Sequence, residues 1–232
     1  MMYGALKRGV GAGAVAGVAY GLFVALVATP AIAFAETFEA GHGHGAGIDL
    51  ASAAPSVVGG ALFGLLLGAC FGVVYYLLEP ALPGASDTRN YLLAAAGFVT
   101  VSGAPWLALP PQAPGAEYAF GSDARLAVYA AMMALGALVC ALSLLAWRRT
   151  EGAGTVARAA AALLPFGLIV VAGVAAPTAP SSGPIPDALA TAYRGLVVVG
   201  QVLLWTTLAT AHVWFLDRTA APDVTIPSEA PH

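Results

Sequence analysis

The chain has 232 residues, of which 59% are hydrophobic and only 9% charged, and its net charge is -3. An average soluble domain carries about 25% charged residues, so this chain has too few to coat a water-facing globule and requires a bilayer as its solvent. The small net charge gives no footprint for nucleic acid. Cys70 and Cys140 both lie inside apolar runs and read as small buried packing residues rather than a disulfide or a thiolate metal site.

A spanning helix needs about 20 mostly apolar residues. Six stretches answer to that description, at 9–33, 57–78, 90–108, 124–147, 157–176 and 194–216. The expected fold is all-α: a polytopic helical bundle forming one transmembrane domain over 1–218, followed by a disordered tail over 219–232 that contains Pro222, Pro227 and Pro231. The first span carries Gly9, Gly13, Gly17 and Gly21, and the second Gly60, Gly64, Gly68 and Gly72. At about 3.6 residues per turn, a spacing of four draws a slowly drifting stripe along one helix face. Glycine there lets two backbones approach closely, which predicts an antiparallel hairpin with facing stripes. Lys7, Arg8, the apolar run and then Ala31-Ile32-Ala33 or Ala33-Phe34-Ala35 also resemble a cleavable secretory signal. The run exceeds the about 7–15 residues of a signal core, so the first span is expected to be retained.

Between the first two spans lies the densest polar cluster of the chain, Ala35-Glu36-Thr37-Phe38-Glu39-Ala40-Gly41-His42-Gly43-His44-Gly45. If the first helix continues past Pro30, Glu36 and Glu39 share one face. Two imidazoles on a glycine-rich wrap, with one or both carboxylates, suit a divalent ion such as Co²⁺, Ni²⁺, Zn²⁺ or Cu²⁺. The alternative is a solvated loop that uses Gly and His for flexibility. Glu36 stands at the membrane boundary, where a carboxylate is costly and tends to be functional.

The third span contains Pro105 near its end, which predicts a kinked helix or a re-entrant segment. Pro110, Pro111 and Pro114 then stiffen an outer segment running to Glu117, a second acidic candidate along an ion path, with Trp106 as an interfacial anchor. In the last span Gln201, Trp205, Leu208 and His212 recur at four, three and four residues, hence on one face. Polar residues inside a span turn toward the bundle interior. That makes Gln201 and His212 candidates for a pathway, His212 being either an inner-side ligand or proton acceptor or an interfacial histidine.

Orientation follows the basic residues. With the N-terminus inside, Lys7, Arg8, Arg89, Arg148, Arg149, Arg158 and Arg218 are cytoplasmic and only Arg125 and Arg194 fall outside, which predicts N-in/C-in. Glu36, Glu39, Asp49, Glu117, Asp123 and Asp187 then face outward; six carboxylates against two arginines make that face net negative and attractive to cations. No Gly-x-x-x-x-Gly-Lys-Ser/Thr loop occurs, so no ATPase of the P-loop type is visible. Ser102-Gly103 and His212 invite comparison with an intramembrane serine protease. Thr100-Val101-Ser102-Gly103 lacks the leading glycine, however, and the topology puts Ser102 and His212 toward opposite faces.

Ala35-Glu36-Thr37-Phe38-Glu39 is similar to the Ala-Glu-x-aromatic-Glu signature of the CbtA family, predicted subunits of a cobalt transporter. Pro110-Pro111-Gln112-Ala113-Pro114-Gly115 resembles that family's Pro-Pro-x-Leu-Pro-Gly loop, with Ala113 in place of leucine. Arg125 and Tyr129 fall where the family often has Arg-Gln-x-Trp-Trp, whose Gln and Trp pair are missing here. Ala175-Ala176-Pro177, Pro186-Asp187-Ala188-Leu189-Ala190 and Trp205 are similar to its last third. The resemblance implies a non-enzymatic plasma-membrane subunit that takes up Co²⁺, with Ni²⁺ second, for cobalamin synthesis and holds no permanent cofactor. It further implies a small single-span partner, CbtB, bearing its own histidines, and functional roles for Glu36 and Glu39. His42 and His44 join that set through their ligand chemistry. The competing expectation is a non-transporting membrane scaffold or assembly protein, which the glycine stripes and few buried charges also fit.

Overall fold

A computed structural model describes residues 2–33, 50–112, 121–176 and 187–220. Six helices in it are long and apolar enough to cross a membrane: α1 (Met2–Ala33), α2 (Ala53–Ala81), α3 (Ser86–Ala108), α4 (Ser122–Arg149), α5 (Thr155–Ala175) and α6 (Asp187–Thr219). Among the described residues there is no strand. Alanine and leucine favour the helix, and in lipid a helix satisfies its backbone polar groups internally. Apolar side chains therefore face outward as well as inward. Leu66, Leu164, Val171 and Val174 are exposed, and among the described residues the buried polar side chains are Asn90, Ser102 and His212.

α1 and α2 run antiparallel at backbone contact. A Cβ built on Gly9 would come 2.7 Å from the Gly72 Cα, one on Gly13 2.7 Å from the Gly68 Cα, and one on Gly17 2.8 Å from the Gly64 Cα. Such a carbon would also overlap the carbonyl oxygens of Gly68, Gly64 and Gly60 respectively. Cys70, expected to be buried, is exposed. It lies two residues beyond Gly68, about 200° around the helix, so the stripe that faces α1 turns Cys70 away from it.

Two apolar cores hold the bundle. Ala12 and Ala16 of α1, Phe71 and Tyr75 of α2, Leu93 and Ala94 of α3, and Leu204, Trp205, Leu208 and Ala209 of α6 form the first. Ala104 and Ala108 of α3, Met132 and Val139 of α4, and Ile169 of α5 form the second. Thus α3 belongs to both, its first half packing on α6 and its second on α4 and α5.

Pro105 produces neither a break nor a re-entrant segment. The helix widens into a π-turn at Val99–Gly103 and resumes at Ala104–Ala108. Proline lacks the amide that would bond the carbonyl four residues back, and its ring collides with that carbonyl. Here that carbonyl belongs to Val101, and it accepts a hydrogen bond from the Tyr129 hydroxyl of α4 at 2.6 Å. α1 also widens ahead of a proline: a π-turn at Val24–Ala28 precedes Pro30, and both the backbone amide and Oγ1 of Thr29 bond the Val24 carbonyl, the latter at 2.9 Å. The helix continues past Pro30 to Ala33. α5 is interrupted at Leu164-Pro165 between the segments Thr155–Leu163 and Phe166–Ala175. At the far end, helical geometry persists through Ala220, two residues into the stretch expected to be a tail.

Candidate functional site

The polar groups inside the bundle lie along the seam between α3 and α6. Trp205, Leu208 and His212 are buried there, and Gln201 continues their face. Trp205 closes over Gly97, where a Cβ would overlap its indole. Above this aromatic plug, Ser102 Oγ donates to Gln201 Oε1 at 3.2 Å. Below it, His212 Nδ1 lies 2.6 Å from Asn90 Oδ1. Both of those residues have no solvent exposure. Asn90 Nδ2 donates to the Ser86 carbonyl at 2.9 Å, which fixes the amide with its oxygen toward the imidazole. His212 Nδ1 is therefore the protonated nitrogen and donates, since an amide oxygen only accepts. α2 completes the enclosure. Phe71 and Tyr75 meet the imidazole edge-to-face, with ring centroids 5.3 and 5.0 Å away.

His212 Nε2 and the Tyr75 hydroxyl are buried without a hydrogen-bond partner. Buried polar atoms ordinarily have one, so the cluster holds two unsatisfied polar atoms on rings that touch. The histidine is thus enclosed within the bundle. Of the other candidates, Gln201 sits in the seam, whereas Glu36, Glu39, His42, His44 and Glu117 lie outside the described residues. Among the described residues no three His, Cys, Asp or Glu side chains gather into a metal-holding group. Ser102 and His212 form no nucleophile–base pair: each is bonded elsewhere, and Gln201 and His212 stand roughly 16 Å apart along α6 at about 1.5 Å per residue.

Sequence inspection passed over Asn90 and Tyr75. The available signal was His212 itself, since a buried imidazole demands a polar partner and Asn90 is one of few polar side chains at the start of an apolar run.

The two ends of the bundle differ in charge. Arg148 Nη2 donates to the Pro80 carbonyl at 3.2 Å and also to that of Ala81, setting the end of α4 beside the α2–α3 turn. Arg158 stacks over Trp147 at 4.2 Å and Arg218 over Trp214 at 3.8 Å. Arg89 pairs with Glu79 at 3.8 Å. His212 is near this basic end, where Arg8 of α1 acts on it electrostatically. At the opposite end Arg194 Nε donates to the Pro111 carbonyl at 3.3 Å, tying the start of α6 to the exit of α3.

The chain matches no curated protein and no solved structure at a significant level. The family model of CbtA, described as a probable cobalt transporter subunit, matches residues 3–217, and the chain belongs to that family.

Proposed function

We propose that this chain is the multi-pass subunit of a plasma-membrane importer for a divalent metal ion, Co²⁺ first and Ni²⁺ second, that serves cobalamin synthesis. The observation that carries this function is the family match over residues 3–217. The basic end of the bundle faces the cytoplasm, giving N-in/C-in, because cytoplasmic ends accumulate Lys and Arg. The outer face is then acidic and concentrates cations. Glu36, Glu39, His42 and His44 take the ion there as substrate, exchanging part of its water shell for oxygen and imidazole. Gln201 and His212 mark the way inward along the α3–α6 seam, and Glu117 is a further pathway residue. Support for that route comes from the polar side chains buried in this seam, since intramembrane polar groups line substrate paths. A small single-span CbtB-like subunit accompanies the chain, and no cofactor is held permanently.

The test is ion accumulation in metal-starved cells by wild type and by Glu36→Gln/Glu39→Gln at equal membrane abundance. Loss of uptake in the double variant assigns the carboxylates to the entry site. Undiminished uptake would remove them from it. Uptake by neither protein would favour the scaffold alternative.

A further inference from the structure

We propose that His212 Nε2 and the Tyr75 hydroxyl form an inner subsite where the transported divalent ion is handed on before release into the cytoplasm. The identity of the ion rests on the function proposed above; the existence of the subsite rests on the geometry.

Asn90 is the positioning residue. Its amide is fixed by the bond from Nδ2 to the Ser86 carbonyl, and its oxygen holds the Nδ1 proton of His212. A metal-binding imidazole is commonly prepared in this way: one nitrogen donates to a fixed acceptor, which sets the tautomer and leaves the other lone pair for the metal. Here that second lone pair is on Nε2, buried and without a partner, and the hydroxyl of Tyr75, whose ring centroid lies 5.0 Å from that of the imidazole, is also buried and unpartnered. Phe71 and Tyr75 hold the ring edge-on, so it does not need to reorganise to bind. Among the described residues, the buried polar or charged side chains other than His212 are Asn90 and Ser102, so no buried carboxylate competes for the ion or traps it.

Imidazole nitrogen with a neutral oxygen suits Co²⁺ and Ni²⁺ better than Mg²⁺ or Ca²⁺, which prefer carboxylate and water. Two neutral donors bind a dication weakly, and water completes its shell. Weak binding suits a transport step, because an ion held firmly at an inner station would not leave.

The competing occupant is a single water bridging Nε2 and the phenol. The two are separated by Co²⁺ titration of the full chain in lipid nanodiscs, with ¹⁵N-labelled histidine and with His42, His44 and His232 replaced by alanine so that His212 is the sole histidine. Saturable paramagnetic broadening of the Nε2 resonance is expected. Tyr75→Phe should raise the midpoint several-fold, and Asn90→Leu should raise it about tenfold. An Nε2 resonance that stays sharp through millimolar Co²⁺ would leave water as the occupant and overturn the subsite. This measurement does not depend on uptake. Uptake without broadening would retain the transport function and reject the subsite, and broadening without uptake would do the reverse.

Discussion

Pro105 removes one backbone donor, and a single phenol replaces it: the Tyr129 hydroxyl meets the Val101 carbonyl at 2.6 Å. Interhelical hydrogen bonds in membranes contribute about 1 kcal/mol, so Tyr129→Phe should destabilise the detergent-solubilised protein by about that much. The loss should shrink in a Pro105→Ala background, where a backbone amide again stands four residues from Val101, and a double-mutant cycle by denaturation reads the difference. Equal losses in both backgrounds would mean that Tyr129 does not serve the carbonyl that proline frees. The Asn90–His212 pair gives a second prediction. Asn90→Leu leaves a buried Nδ1–H without an acceptor and should cost about 1–3 kcal/mol, whereas Asn90→Leu/His212→Leu should recover much of that, because removing both partners leaves nothing unsatisfied. A double variant less stable than the single one would show that His212 is held by something other than Asn90. His212 was legible in the sequence as a polar residue sharing a face with Gln201, Trp205 and Leu208. Its partner was not, because the two are 122 residues apart in the chain and no local period links them.

At the scale of helices, the glycine series are the most specific feature. A Cβ at Gly64 would stand 2.7 Å from the Gly17 backbone nitrogen, whereas one at Gly59, on the same helix, would meet nothing within 4 Å. Gly64→Ala should therefore force α1 and α2 apart and lower stability measurably. Gly59→Ala should be neutral or stabilising by up to about 1 kcal/mol, since alanine is the better helix former. Thermal denaturation of the two variants side by side checks this, and equal behaviour would count against backbone contact between the helices. The spacing of four makes both stripes readable in the sequence, because helical periodicity converts spacing directly into a face. The π-turns at Val24–Ala28 and Val99–Gly103 were not readable in that way. Proline announces that a carbonyl loses its donor, but whether the helix breaks, kinks or widens depends on what neighbouring side chains supply. In α3 Tyr129 supplies it. The exposure of Cys70 was missed for a related reason. An apolar run in a membrane chain has a lipid-facing side as well as a buried one, so hydropathy alone does not bury a residue.

For the molecule as a whole, length and hydropathy sufficed to count the spans, since a bilayer admits few ways to satisfy a backbone. They did not reveal that α3 divides the bundle into an α1–α2–α3–α6 core and an α3–α4–α5 core, which depends on side-chain shape across helices far apart in sequence. The proposed entry site rests on chemistry alone: carboxylates and imidazoles after an apolar run. The inner cluster needed the assembled helices. Charge placement predicts N-in/C-in, so fluorescent fusions at either end should report the cytoplasm, and an external signal from either would reverse the proposed direction of the path. The central claim is that the chain moves a divalent metal inward. Its most direct test is the rate of Co²⁺ accumulation in metal-starved cells expressing the chain with its small partner, against cells carrying an empty vector. Saturable Co²⁺ uptake above the vector, competed by Ni²⁺ and indifferent to Mg²⁺, is expected. Uptake no greater than the vector for both Co²⁺ and Ni²⁺, with the protein present in the membrane, would contradict it.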